Sequence, residues 1–464
     1  MNKIIIIGAG PAGISAAICL AKKGIKTTII DESPKVGGVI YRGPWRKTIQ
    51  MPHLDDKLKA KMKKLKSGYI EYQDLINLRL NTRVLGPQSN QSLLINHNDT
   101  IQCIDYDFLL LATGCQERSI PFPGWQLPGV MLMGGIQLQL KSGLVRPGVK
   151  IALVGTGPLL ALITCQLHKA GCQVIGVYEA SPFYRLAKEV IALMNRPQLV
   201  LEGLSMMNYI KQHKIPFHYG WGIVEAHGKE ALQKAIVAPY DKYWQPNLAR
   251  SKAIMVDTLG VGYGFSSRSQ LAQLLHLDME YDEQSGLIPK VDQWQCSSSQ
   301  HIYAAGDNAY VVGADAAMIE GTIAAESIAA KLGKNSISKD SHRIIQLRRR
   351  KKRIYRFRHA FDRISKQQHN LLNLAKENTT ICRCENVKKQ AIEEALAEGC
   401  QDIVSLKMKT RVTMGDCQGK VCSHYCYDRL AAAGFRQQMG VVRPRFPLDP
   451  IPFSALLKEG LSDE

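Results

Sequence analysis

Residues 4–13 read Ile4-Ile5-Ile6-Ile7-Gly8-Ala9-Gly10-Pro11-Ala12-Gly13. Four branched aliphatics in succession predict a short parallel strand buried on both faces. The strand breaks into a Gly-x-Gly-x-x-Gly turn, and the alanine-rich run to Lys23 continues as a helix. In such a turn Gly8 makes the sharp bend, Gly10 lets backbone approach a pyrophosphate, and Gly13 lets helix pack on strand. Ala9, Pro11 and Ala12 complete the loop, and phosphates would sit on the helix N-terminus, where free N–H groups favour negative charge. A second apolar strand, Thr27–Ile30, ends in Asp31-Glu32, at the distance expected of a carboxylate that binds a ribose 2′-OH. The glycine pattern alone is a weak signal. Strand, helix, second strand and acid in register make it a dinucleotide site rather than an export signal, since no small-residue cleavage site follows.

The 464 residues suffice for roughly two to four domains, each with its own core. A formal net charge of +20 permits acidic partners or anionic lipid surfaces. No nucleic-acid-binding motif accompanies the charge, so nucleic acid is set aside as a partner. No apolar stretch is long enough to span a bilayer, and the expected location is cytoplasmic, with peripheral contact on the inner membrane face left open. Of twelve cysteines, six crowd between Cys382 and Cys426. The others read as reduced packing thiols, Cys165 and Cys172 included, and no Cys-x-x-Cys or Cys-x4-Cys pair lies near the first turn to suggest a disulfide reductase.

Further along, Gly37-Gly38 suits a loop running close to a bound cofactor. Residues 55–70 read as a lysine-rich helix, and a β-meander is expected from about Leu78 to Ile101. Tyr106–Gly114 reads as a buried strand ending Ala112-Thr113-Gly114. This ending, after the N-terminal turn, resembles two-dinucleotide-binding-domain flavoproteins. The continuation Glu117-Arg-Ser-Ile-Pro-Phe-Pro-Gly-Trp-Gln-Leu-Pro-Gly-Val130 narrows the resemblance to subunits of amine-oxidising dehydrogenase complexes, the family of the FAD/[2Fe–2S] chains of opine oxidase, hydrogen cyanide synthase and hydroxyproline and proline dehydrogenases. It extends over nearly the whole chain. It implies FAD at the first turn, with Thr113 and Gly114 beside it. It also implies that Gly306-Asp307, at the end of the strand Ile302-Tyr-Ala-Ala, contacts the ribityl and phosphate region. The helix from about Ala314 to Leu332 would then aim its N-terminus at the flavin pyrimidine ring. An ordinary helix N-cap is the plainer role for Asp307.

A second Rossmann-like unit opens at Lys150–Val154 with the turn Gly155-Thr-Gly157-Pro-Leu-Leu160 and a second strand ending Glu179. Leu160 stands where the third glycine belongs and would push the helix from the strand. The insert is read as a structural relic, with a working NAD(P)H site left open. Arg343–Arg363 reads as an amphipathic basic linker helix, a solvated linker first, or a dock for an acidic partner or anionic lipid.

In the last domain Cys382-Arg-Cys384 and Cys417-x4-Cys422 flank a helical spacer from Val387 to about Glu398. Four thiolates so arranged suit a [2Fe–2S] cluster or zinc, and neither pair is the Cys-x2-Cys knuckle usual for zinc. The wording resembles the bacterioferritin-associated ferredoxin-like [2Fe–2S] domain, which implies those four cysteines as ligands. Cys400 and Cys426 read as packing residues. The proline-spaced tail Arg443–Phe453 is expected to be extended, strapping the cluster domain to the flavin domain or to another subunit.

The expected architecture is α/β: two Rossmann-like dinucleotide-binding domains plus a small helical C-terminal domain. Its parts are residues 1–147 and 286–335 for the FAD-binding domain, 148–285 for the insert, 336–377 for the basic linker, 378–435 for the [2Fe–2S] domain and 436–464 for the tail. The resemblance implies an electron-relay subunit that takes electrons from a glycine/D-amino-acid-oxidase-like flavoprotein partner acting on an opine, hydroxyproline, proline or glycine. No residue of this chain is assigned as a catalytic acid or base. The alternatives are a self-contained NAD(P)H-dependent ferredoxin or acceptor reductase, and a redox- or iron-sensing binding module.

Overall fold

The branched run Ile4–Ile7 is a strand buried at every position, as its lack of alternation requires. In the computed structural model, which describes residues 2–42, 56–334 and 342–457, it is the middle of a five-stranded parallel sheet. The strand order is 302–304, 108–111, 4–7, 27–30, 76–79. Helices Pro11–Ala21 and Ala314–Lys331 cross on one face of this sheet at close range. A Cβ on Gly321 would lie 2.1 Å from Ala12 O, so only glycine permits the crossing.

A second parallel sheet has the order 217–219, 173–179, 150–155, 258–262, 130–132. Its last strand, Val130–Leu132, comes from ahead of Pro147-Gly148, so the second nucleotide fold recruits chain from both sides of that turn. Each parallel sheet is accompanied by a three-stranded antiparallel meander, 82–105 and 221–255. Strands Cys115–Glu117 and Phe265–Ser267 pair as a ribbon where the chain passes between the two folds. The lysine-rich segment forms helix Asp56–Glu71. The residues around Gly38 form a four-residue helical turn, Gly38–Tyr41, instead of an open loop.

The C-terminal unit packs helices Lys389–Ala397, Ile403–Thr410 and Ser423–Ala432 around Ile381, Ile392, Leu406 and Leu430. The tail lies on the flavin-side meander: Leu448 donates its N–H to Leu85 O and joins that core, while Gln418 Nε2 donates to Pro447 O at 2.8 Å. Of the two straps left open by the sequence, the structure shows the one to the chain's own first domain.

The basic segment departs from a solvated linker. Helix His342–Ile364 buries Ile344, Ile354, Phe357, Ala360 and Ile364, and it is tied to two carboxylates inside helix Ala314–Lys331. Glu320, 1% exposed, receives Tyr355 Oη at 2.6 Å and Lys351 Nζ at 3.0 Å, besides Gly306 N at 2.9 Å. Glu326 pairs with Arg343 at 3.0 Å and Lys23 at 3.1 Å, and Arg348 stacks 4.4 Å over the Trp294 ring. Part of the charge is therefore taken up by the chain's own acids, while Arg349, Arg350, Lys352, Arg353 and Arg356 face solvent. No helix among the described residues is long and apolar enough to cross a membrane.

Candidate cofactor sites

The first glycine-rich turn is shaped by contacts that no side chain could share. A Cβ on Gly8 (φ +113°) would lie 2.2 Å from Ala112 O, and one on Gly13 would lie 1.9 Å from Gly8 O. Helix Pro11–Ala21 starts at Gly10 with no side-chain cap and no acid in its first turn, which leaves its leading N–H groups for an anion. Gly38 closes over Gly10, Cα to would-be Cβ at 3.0 Å.

Of the two acids after the second strand, each oxygen of Asp31 receives a backbone N–H, from Ala9 at 2.6 Å and from Ser33 at 2.8 Å. Asp31 is thus a brace that holds the turn. Glu32, the next residue, is more open and is held 2.8 Å from Arg268 Nη1. Arg268 also fixes the Ala-Thr-Gly ending: Thr113 Oγ1 donates to Arg268 O at 2.7 Å, and Arg268 N donates to Gly114 O at 3.0 Å. Nothing in the sequence around Arg268 marks it for this place. Asp307 Oδ1 accepts the N–H groups of Val312 and Gly313 at 3.0 and 2.9 Å, and Oδ2 receives Cys115 Sγ at 3.5 Å. Residues 113–115, Gly306-Asp307 and the start of helix Ala314–Lys331 therefore meet at one place, beyond the C-terminal ends of the central strands.

The second turn repeats this plan with one acid missing. Glu179 takes the place of Asp31 and accepts N–H groups from Gly157 at 2.8 Å and Ser181 at 2.9 Å. Ala180, fully buried, stands where Glu32 stands in the first fold. Burial pushes the Glu179 carboxyl up to about 7 against the donors Ser181, Thr156 and Gly157. A proton held more tightly in the folded chain makes stability fall as pH rises from the ordinary value near 4.5 to about 7, and leaves it level above. The Glu179→Gln variant is expected to lack this slope, so the wild-type-minus-variant unfolding free energy, read by urea denaturation, should drop by about 3 kcal/mol across that window.

In the C-terminal unit the four predicted ligands converge. Cys382 and Cys422 are both buried, and the Cys422 thiol is the largest influence on the Cys382 thiol, while Cys417 acts on Cys384. The Cys422 thiol and the N–H groups of Glu385, Thr413 and Cys384 draw the Cys382 thiol down to about 6, against its burial. Thr413, whose N–H is among the groups that lower the Cys382 thiol, holds φ at +69°, a conformation costly for a β-branched residue. Gly415 is required by Cys384, whose Cβ lies 2.2 Å from where a Cβ on Gly415 would be. Cys426 is fully buried packing, and Cys400 follows a helix end. Among the described residues no three His, Cys, Asp or Glu side chains stand in a metal-holding geometry.

The C-terminal unit sits directly on the flavin-side ribbon. Gln116 Nε2 donates to Lys420 O at 2.7 Å, Arg118 pairs with Asp428 at 3.1 Å, and Trp125 Nε1 donates to Thr380 O at 2.8 Å. Arg383, between the first two cysteines, lies 5.7 Å over the Trp125 ring.

Residues 2–329 match the model of the pyridine nucleotide-disulphide oxidoreductase family. The chain belongs to this family. Membership implies an FAD cofactor and oxidoreductase activity, and the cradle of Gly8, Gly10, Gly13 and Gly38 with its uncapped helix end fits a dinucleotide. Residues 376–458 match the sarcosine oxidase A3 domain. The hydrogen cyanide synthase subunit HcnB of Pseudomonas protegens is 47% identical over 97% of this chain and 96% of its own length. An opine oxidase subunit of Agrobacterium tumefaciens is 27% identical over 98% and 91%. The L-proline dehydrogenase of P. horikoshii shares the fold, with TM-score 0.70 and 16% identity over 98% of this chain and 80% of that one. Four cysteine thiols are a donor type that suits an iron–sulfur centre chemically.

Proposed function

We propose that this chain is the FAD- and [2Fe–2S]-containing electron-relay subunit of an amine or amino-acid dehydrogenase complex, whose donor is oxidised on a glycine/D-amino-acid-oxidase-like flavoprotein subunit. The observation that carries the reading is the bond from Gln116 to Lys420 O, which joins the segment just after Thr113-Gly114 to the loop between Cys417 and Cys422. FAD would supply two-electron chemistry and a [2Fe–2S] centre one-electron chemistry when bound. The first-turn N–H groups after Gly10 would receive the pyrophosphate, and Glu32, rather than Asp31, the ribose. Cys382, Cys384, Cys417 and Cys422 would hold the iron, with the N–H groups of Glu385 and Thr413 stabilising sulfur charge.

The 47% identity to a hydrogen cyanide synthase subunit favours glycine among the four donors. Only glycine carries its nitrogen on a CH2 group whose single other substituent is the carboxyl that can leave as CO2. Removal of four electrons and four protons with loss of CO2 leaves HCN, and the atoms balance.

An anaerobic visible spectrum tests the assignment. The bands are expected to stay oxidised on adding NADH or NADPH and to bleach when glycine is supplied together with the partner flavoprotein. Immediate bleaching by a nicotinamide alone would replace this reading with the self-contained reductase.

A further inference from the structure

In open α/β sheets the ligand crevice lies beyond the strand C-termini, where strand order reverses. In the second sheet that point falls between strand 150–155 and strand 258–262, at Gly155–Gly157 and Tyr263-Gly264. The crevice already holds a peptide. Ser181 Oγ donates to Ile364 O at 2.7 Å, Ser365 Oγ lies 3.4 Å from where a Cβ on Gly157 would be, and Gln367 Nε2 donates to Tyr263 O. Arg185 Nη1 approaches Lys366 O at 3.5 Å from the far side. Just beyond, Leu371 and Leu374 are buried in the core of this same fold. In the first fold, among the described residues, a Cβ on Gly10 would meet only Gly38 Cα, at 3.8 Å.

We propose that the second dinucleotide fold is a peptide-binding site whose ligand is this chain's own segment Ile364–Gln367. The occupied crevice anchors the cysteine domain against the flavin-binding half. Two features agree with the exchange of ligand. Ser365 takes the place over Gly157 where a pyrophosphate would lie, and Ala180 replaces the ribose-binding acid. The segment bridges the basic helix and the cysteine domain, so its grip sets where that domain sits. The proposal stands whether or not a partner subunit donates the electrons.

The test uses the full chain with flavin bound. Titration with NADH, NADPH and ADP-ribose to about 1 mM, read by calorimetry, is expected to give no saturable binding. In the Ser181→Ala, Gln367→Ala double variant, tryptic cutting at Arg363 and Lys366 is expected to rise about tenfold, with the flavin spectrum reporting that the first fold is intact. If the double variant loses flavin, Ser181→Ala alone decides, with a smaller rise expected. One-to-one nicotinamide binding to the wild type, or cutting rates unchanged in the folded variant, would overturn the proposal. Neither readout depends on electron transfer, so the relay assignment is judged separately.

Discussion

In the Cys382→Ser and Cys417→Ser variants, iron is expected to fall from stoichiometric to below about a tenth, with loss of visible charge-transfer absorbance and retention of flavin. Each substitution removes one of the four thiols, Cys382, on which Cys422 acts, in the first and Cys417, which acts on Cys384, in the second. Cys382 is the sterner case, since it is buried and draws N–H groups from Glu385, Thr413 and Cys384, all aimed at sulfur. A serine oxygen is smaller and holds its proton, so those donors lose their charged acceptor and iron loses a thiolate. Cys400→Ser serves as the control and should keep its iron. Iron content by metal analysis and the visible spectrum together decide the matter; full iron in both ligand variants would remove the cluster assignment.

Gly13→Ala is expected to empty the first nucleotide site. The added carbon would sit 1.9 Å from Gly8 O, a backbone atom fixed by the bond Gly8 N to Ile30 O at 2.7 Å. The helix must therefore move off the strand, taking its N–H groups out of register with the turn. It is also clamped from behind, where Ala12 meets Gly321 and Gly306. Overpacking of this kind costs about 1–3 kcal/mol, which corresponds to a loss of FAD affinity of about five- to 150-fold. FAD content per chain after desalting measures it, and unchanged content would show that the pyrophosphate lies elsewhere. The corresponding Leu160 of the second fold lies 1% exposed among Ile151, Leu153 and Ile163. One position thus carries opposite requirements in the two folds: the first needs glycine there, and the second packs a leucine into its core.

The nucleotide folds are legible in the sequence because their signals are local: a buried aliphatic strand, a turn with fixed glycine offsets, and an acid after the second strand. The sequence does not tell Asp31 from Glu32. The two are adjacent, and only the observed hydrogen bonds show that Asp31 points back to Ala9 while Glu32 meets Arg268. The four cysteines are legible from spacing, whereas among the described residues no three of their side chains with His, Asp or Glu form a metal-holding group. The basic helix reads as a solvated linker because its charges overwhelm the apolar spacing of Ile344, Ile354, Phe357, Ala360 and Ile364. A contrary signal does exist, in Glu320 and Glu326 set within an otherwise small-residue helix, where buried acids require partners. The strapping of the second crevice leaves no local trace, since Ser181 and Ile364 meet across 183 positions of chain.

The split of the first domain has a consequence for the order in which the protein matures. Its fifth central strand, 302–304, and the second half of its ribbon, 265–267, are made only after the whole second fold has left the ribosome. The surface that receives the cysteine domain, at Gln116, Arg118 and Trp125, is therefore completed before Cys382 is synthesised. The chain emerges with this receiving surface made before the four clustered cysteines Cys382, Cys384, Cys417 and Cys422. On the proposed assignment, iron loading is the closing step of assembly, performed on a domain that already has a finished wall to settle against.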